Sequence, residues 1–115
     1  MELLTKPQRA ALLATGLEIM ERDTSHLVWP KVKLFTPDAG ARWLLAWLEP
    51  EDEDTAWGLC DLGVGYPEIG SVSMSEIADV RGAYGLPVER DLFFRPLMSL
   101  LDYAAKARDQ GRITA

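Results

Sequence analysis

Residues 42–48, Arg-Trp-Leu-Leu-Ala-Trp-Leu, decide how this chain is read. Trp43, Leu45 and Trp47 alternate with Leu44, Ala46 and Leu48, so both sides of the segment are apolar, the pattern of a central strand with cover on each face. The run stops at Glu49-Pro50-Glu51-Asp52-Glu53-Asp54 and resumes over residues 56–62, where Trp57, Leu59 and Asp61 alternate with Ala56, Gly58, Cys60 and Leu62. Two strands around an acidic turn make a hairpin. Pairing symmetric about the turn places Trp47 opposite Trp57 and Ala46 opposite Gly58, so that an aromatic pair sits over a patch of small residues.

Working outward, Val32 to Phe35 is a short strand candidate that ends at Thr36-Pro37-Asp38-Ala39-Gly40, where proline and glycine suit a tight turn. On the other side, Gly63-Val64-Gly65-Tyr66-Pro67 is a turn, and Glu68 to Ser73 continues the meander. Thr5 with Gln8 three residues on forms a capping box, and Pro7 lies where no amide donor is needed. The helix that follows carries Leu13, Leu17 and Met20 on one stripe, with Leu12 and Ile19 beside it, and fades near Arg22. Ser73 and Glu76 open a short helix that ends at Gly82 with Ile77 and Val80 inward. Val88 to Phe94 is extended in character and Pro96 ends it. Ser99, with Asp102 three residues on, opens a last helix, and Gly111 stops it. The expected fold is α+β: a mainly antiparallel sheet of four to five strands packed with N-terminal and C-terminal helices plus one short helix, in a single domain over residues 1–115.

The chain has 115 residues, 48% of them hydrophobic and 26% charged, which is enough to fold alone and excludes an intrinsically disordered chain. Twelve Lys and Arg against eighteen Asp and Glu leave a net charge of −6. A single Cys and a single His exclude a disulfide framework and the His-paired or multi-Cys metal motifs, so no metal and no cofactor are expected. The opening MELLTKPQRA lacks an apolar leader, and no stretch approaches the ~18 apolar residues of a membrane span. The expected location is the cytoplasm, away from membranes.

Several side-chain groups invite a chemical reading, each beside a plainer one. Glu49, Glu51, Asp52, Glu53 and Asp54 could hold a cation or a basic partner, or serve as a solvated turn that keeps the hairpin from pairing with another molecule; they lack the spacing of a calcium loop. Cys60 beside Asp61, with His26 as a distant base, lacks any nearby cation that would favour a thiolate. Gly63, Gly65 and Gly70 have no Lys-Ser/Thr after them, and the flanking Asp61 and Glu68 would repel phosphate, so they read as turn glycines. Arg90 alternates with Glu89 and Asp91, which suits a cross-strand ion pair. Trp29, Trp43, Trp47 and Trp57 read as core, because a nucleic-acid platform needs interleaved basic residues.

Three segments together resemble a known family. They are Val32-Lys33-Leu34-Phe35-Thr36-Pro37-Asp38-Ala39-Gly40-Ala41 followed by Trp43-Leu44-Leu45, then residues 58–73 with Gly58-Leu59-Cys60-Asp61-Leu62-Gly63, Gly65, Pro67-Glu68, Gly70 and Val72-Ser73, then Gly85-Leu86-Pro87-Val88-Glu89-Arg90-Asp91-Leu92 with Phe94. With Leu4-Thr5-Lys6, Gln8, Tyr103-Ala104 and Ala107, they make nearly the whole chain similar to the bacterial family catalogued as domain of unknown function 2958. Asp38, Glu89, Arg90 and Asp91 are polar positions of the shared motifs. Members of that family are mostly small proteins of proteobacterial plasmids, integrative elements and phage-like islands, encoded near conjugation or anti-restriction functions. The resemblance brings no activity, cofactor or catalytic residue with it.

Residues 43–80 hold nine acidic residues, among them Glu49, Glu51, Asp52, Glu53, Asp54, Asp61 and Glu68, and no basic one. With the resemblance, this regional charge favours a non-enzymatic accessory or interaction protein of a bacterial mobile element, an acidic inhibitor that meets the basic surface of a host defence or nucleic-acid-binding complex. One alternative is a small enzyme whose site gathers Asp38, Asp61, Glu68 and Glu89, with or without Mg²⁺. Another is a nucleic-acid-associated module, against which the charge argues. Apolar faces on both sides of residues 43–48 also leave room for a homodimer.

Overall fold

The structure, a computed structural model, describes residues 2–115. Met1, which the expected domain of residues 1–115 included, lies outside the described residues. Helix α1 spans Lys6–Arg22 and strand β1 spans Val32–Phe35. Strands β2 (Arg42–Leu48), β3 (Thr55–Asp61) and β4 (Glu68–Ser73) follow as a meander, then the short helix α2 (Met74–Ala78), strand β5 (Glu89–Arg90) and helix α3 (Leu100–Gln110). The five strands form one antiparallel sheet in the order β4-β3-β2-β1-β5. This is the expected α+β fold.

Strand β2 is apolar on both sides because both sides are covered. Trp43, Leu45 and Leu48 pack with Val32, Leu34 and Ala56 against Leu12 of α1 and against Met74 and Ile77 of α2. Leu44, Ala46 and Leu59 pack on the other face against Leu100, Tyr103, Ala104 and Ala107 of α3, with Ile113 from the segment after it. Apolar burial on two faces of one sheet is the main stabilising term.

The hairpin register holds at its tip and slips below it. Trp47 pairs with Trp57 and Leu48 with Ala56, but a bulge at Ala46 then sets Leu45, not Ala46, opposite Gly58. Two residues face one there, so Ala46 and Trp47 both turn toward the α3 side. Gly58 is required by the same feature, since a Cβ on it would lie 2.0 Å from the Leu44 carbonyl oxygen.

Helix α1 begins as expected, with the Thr5 hydroxyl accepting from the Gln8 amide and the Gln8 side chain accepting from the Thr5 amide. Its buried seam differs. Leu12 and Gly16 are buried, whereas Leu17 and Met20 are 52% and 59% exposed. The cause is Gly16: a Cβ there would stand 2.0 Å from the Leu48 carbonyl oxygen, so the helix lies against β2 along its one residue without a side chain. That contact turns the Leu13-Leu17-Met20 stripe toward the edge of the interface.

Other elements are shorter than their patterns suggested. Helix α2 ends at Ala78, because the chain closes into a loop where the Gly82 amide meets the Leu86 carbonyl and Arg81 bridges Pro87. Ile77 is buried as expected and Val80 only partly. Strand β5 keeps two residues of the extended run 88–94, since the Asp91 carboxylate accepts the Phe93 amide and turns the chain. Helix α3 is capped by Ser99 and stopped by Gly111 in the left-handed region, as read. Of the four tryptophans read as core, Trp43 is buried, Trp47 and Trp57 are only partly buried and Trp29, in the extended connector before Pro30, is 46% exposed.

Candidate functional site

The acidic hairpin tip is built largely by its own carboxylates. Asp52 accepts from the Thr55 hydroxyl at 2.6 Å and from the amides of Asp54 and Thr55. The Thr55 hydroxyl first, then these amides, hold the Asp52 carboxyl down from 3.8 to about 2. Asp54 accepts from the Ser73 hydroxyl at 2.6 Å and from the amide and hydroxyl of Ser75, which also lowers its pKa and ties the tip to the start of α2. Glu53 sits in the left-handed region at φ 52, and its carbonyl accepts from the Arg9 guanidinium of α1. Glu51 and the side chain of Glu53 face solvent. Glu49 points back along the hairpin, its carboxylate accepting the indole N–H of Trp57 at 2.6 Å.

The four carboxylates of the enzyme reading do not converge. Glu68 lies on β4 and Glu89 on β5, the two opposite edges of the sheet, roughly 19 Å apart at the usual strand spacing. Asp61 is 1% exposed and accepts the amides of Gly63 and Ile113, at 2.8 and 2.9 Å. Glu68 pairs with Cys60 and so faces away from Asp61. Asp38, at the β1–β2 turn, accepts the amides of Tyr84 and Leu86, and the absence of a side chain on Gly82 makes room for it. Among the described residues, no group of three or more His, Cys, Asp or Glu is placed to hold a metal ion.

The remaining motif polar groups act as clamps. Arg90 donates to the carbonyls of Glu2 and Leu3 and fastens the N-terminal segment to β5. Among the described residues Arg90 does not form the cross-strand ion pair expected of it, because those backbone carbonyls take its donors; Asp91 instead pairs with Lys33 at 3.5 Å, and Lys33 also donates to the Ala115 carbonyl. Glu89 pairs with Phe35 through its backbone and leaves its side chain exposed. Lys33 was not foreseen; its place between apolar Val32 and Leu34 was the available signal. Cys60 is partly buried, and that burial pushes its thiol up to about 11. It packs on the α1 side, whereas His26 lies on the α3 side, so the two form no dyad. Gly63 and Gly65 adopt positive φ, as turn glycines do, whereas Gly70, read with them, lies inside β4 opposite Gly58.

Sequence reading left unassembled a groove of about 570 Å³ on the α3 side. Its floor is Trp47 and Trp57, stacked with centroids 5.7 Å apart and planes within 10°. Ile19 and Met20 of α1, Ile69 of β4 and Leu100 and Leu101 of α3 form its walls, and Asp23, Ser25, His26 and Glu49 are the polar groups that line it. Both tryptophans were legible as a pair. The polar rim was not, because Asp23 to His26 is an irregular connector whose course depends on where α1 ends.

These features define a small α+β domain with a two-sided sheet, motif polar residues that lock loops and chain segments to that sheet, and an aromatic groove beside an acidic hairpin. The chain belongs to the family described as Protein of unknown function (DUF2958), whose profile matches residues 3–114. No curated protein and no solved structure matches it significantly. Among the described residues, no helix is long and apolar enough to cross a membrane.

Proposed function

We propose that the protein is a non-enzymatic interaction module that engages a basic surface of a protein partner. The observation that carries this reading is the continuity of the acidic region after folding. The hairpin tip is joined to α2 through Asp54 and the hydroxyls of Ser73 and Ser75, and α2 follows directly on β4. Glu51 and Glu53 on the tip and Glu76 and Asp79 on and just after the helix tied to it are exposed, in a stretch without Lys or Arg, whereas Glu68 is exposed at the other end of β4. Such a field speeds and orients encounter with a basic partner. Arg9 and Arg81 reach this region and donate to backbone carbonyls, Arg9 to Glu53 and Arg81 to Ala78 and Val80.

The finer proposal is that the partner belongs to a host defence or nucleic-acid-binding complex, which the protein, as an accessory factor of a mobile element, occupies in place of nucleic acid. Affinity capture from the native bacterial host, read by mass spectrometry, tests both levels. The expected result is a basic partner whose recovery falls with rising salt and with Glu51→Lys/Glu53→Lys/Glu76→Lys together. Salt-independent capture, or capture that survives the triple reversal, would overturn the reading. A gel shift with nucleic acid at low salt would instead favour the nucleic-acid module.

A further inference from the structure

We propose that the Trp47–Trp57 groove is the seat for an arginine side chain of that partner; the inference rests on the basic-partner reading and names the pocket where the contact is anchored. The floor is aromatic. Indole rings carry negative potential on their faces, and a guanidinium stacks on them through both its charge and its planarity. Trp47 and Trp57 are only partly buried, and the groove they line opens to solvent.

The charge of the groove selects the same ligand. Glu49 and Asp23 line it, and its lining contains no Lys or Arg. One Glu49 oxygen accepts the Trp57 indole N–H, which orients the carboxylate along the floor and places its charge beside the ring. One Asp23 oxygen accepts the Ser25 hydroxyl, and Asp23 itself caps α1 at φ 47, so its position is set by the backbone. Each carboxylate keeps a second oxygen without a hydrogen-bond partner among the described residues, available to a donor fork. Ile19, Ile69 and Leu100 supply apolar walls for the methylene stem of an arginine, which packs its stem on apolar surface while its head meets charge. Glu49 is also the first residue of the acidic turn, so the groove borders the hairpin tip.

The test uses the intact protein, ¹⁵N-labelled, titrated with acetyl-Gly-Arg-Gly-amide and, in parallel, with the same peptide carrying citrulline, which keeps the shape and removes the charge. The indole N–H signals of Trp47 and Trp57 are expected to shift saturably at millimolar arginine peptide while those of Trp29 and Trp43 stay in place, with the citrulline peptide at least tenfold weaker. Glu49→Gln, which can still accept the Trp57 N–H, is expected to weaken binding several-fold while the backbone amide spectrum of the free protein shows the fold intact. Equal responses to both peptides, shifts that never saturate, or shifts at all four indoles would overturn the assignment. So would concentration-dependent dimerisation that broadens the Trp47 and Trp57 signals in the absence of peptide, since a second copy would then occupy the groove. Failure of the titration with salt-sensitive partner capture intact removes the groove and leaves the acidic side. Success of the titration with no partner captured removes the wider reading instead.

Discussion

The buried Asp61 carboxylate at the end of β3 accepts the amide of Ile113, a residue that follows α3 and belongs to the core on that side. Through its other oxygen the same group accepts the Gly63 amide and sets the turn into β4. Asp61→Ala would strand both donors, at a cost of about 1–3 kcal/mol, and Asp61→Asn, which can accept at one position only, should cost less. Urea denaturation of the two variants checks the order. If Asp61→Ala unfolds at the wild-type midpoint, the clamp contributes nothing.

Gly16 is the position at which α1 meets β2. Gly16→Ala would place a methyl group 2.0 Å from the Leu48 carbonyl oxygen, so the helix must lift from the strand. The expected destabilisation is roughly 1–3 kcal/mol, against a gain of about 1 kcal/mol for alanine over glycine in a free helix. Thermal unfolding reads the balance, and a raised midpoint would contradict the close approach.

The hairpin tip should loosen in acid. Asp52 and Asp54 bind protons more weakly when folded than when unfolded, because hydroxyl and amide donors favour their charged forms. Their contribution is complete above the ordinary carboxylate value of 3.8 and is lost as pH falls through about 2 for Asp52. Amide exchange at Thr55 and Ser75 should therefore accelerate on acidification beyond the intrinsic trend, and Asp52→Ala should abolish the effect at Thr55 while sparing Ser75.

Cys60 should be a poor nucleophile. With its thiol pushed up to about 11, it holds roughly a hundredfold less thiolate near pH 8 than a thiol at 9.0. Iodoacetamide should label the native protein slowly and the urea-unfolded protein fast. Rapid native labelling would indicate that β3 and β4 part locally.

The elements were legible where local chemistry speaks alone. The Thr5-Gln8 box, the Ser99 cap, the Gly111 stop and the Trp47–Trp57 pair all depend on neighbours in sequence or on simple strand alternation. The misreadings share a different cause. Periodicity assigns Leu17 and Met20 to the core, yet Gly16, next to one and a turn from the other, sets the rotation of α1. The carboxylates Asp38 and Asp61 looked like chemistry because they are polar residues in motifs, whereas each meets an amide about fifty residues away. The groove was hidden for the same reason: its walls come from α1, a connector, three strands or strand ends, and α3, and no local pattern joins them.

The bulge at Ala46 acts as a half-period phase change in β2. Below it, odd-numbered residues face α1; above it, Trp47 faces α3 and Leu48 faces α1. Deleting Ala46 would bring the strand back into one uninterrupted wave, and the hairpin could then keep either its turn or its paired tryptophans on the α3 side, but not both. One inserted residue thus decides which layer of the protein the hairpin addresses, and with it whether an aromatic floor exists at all.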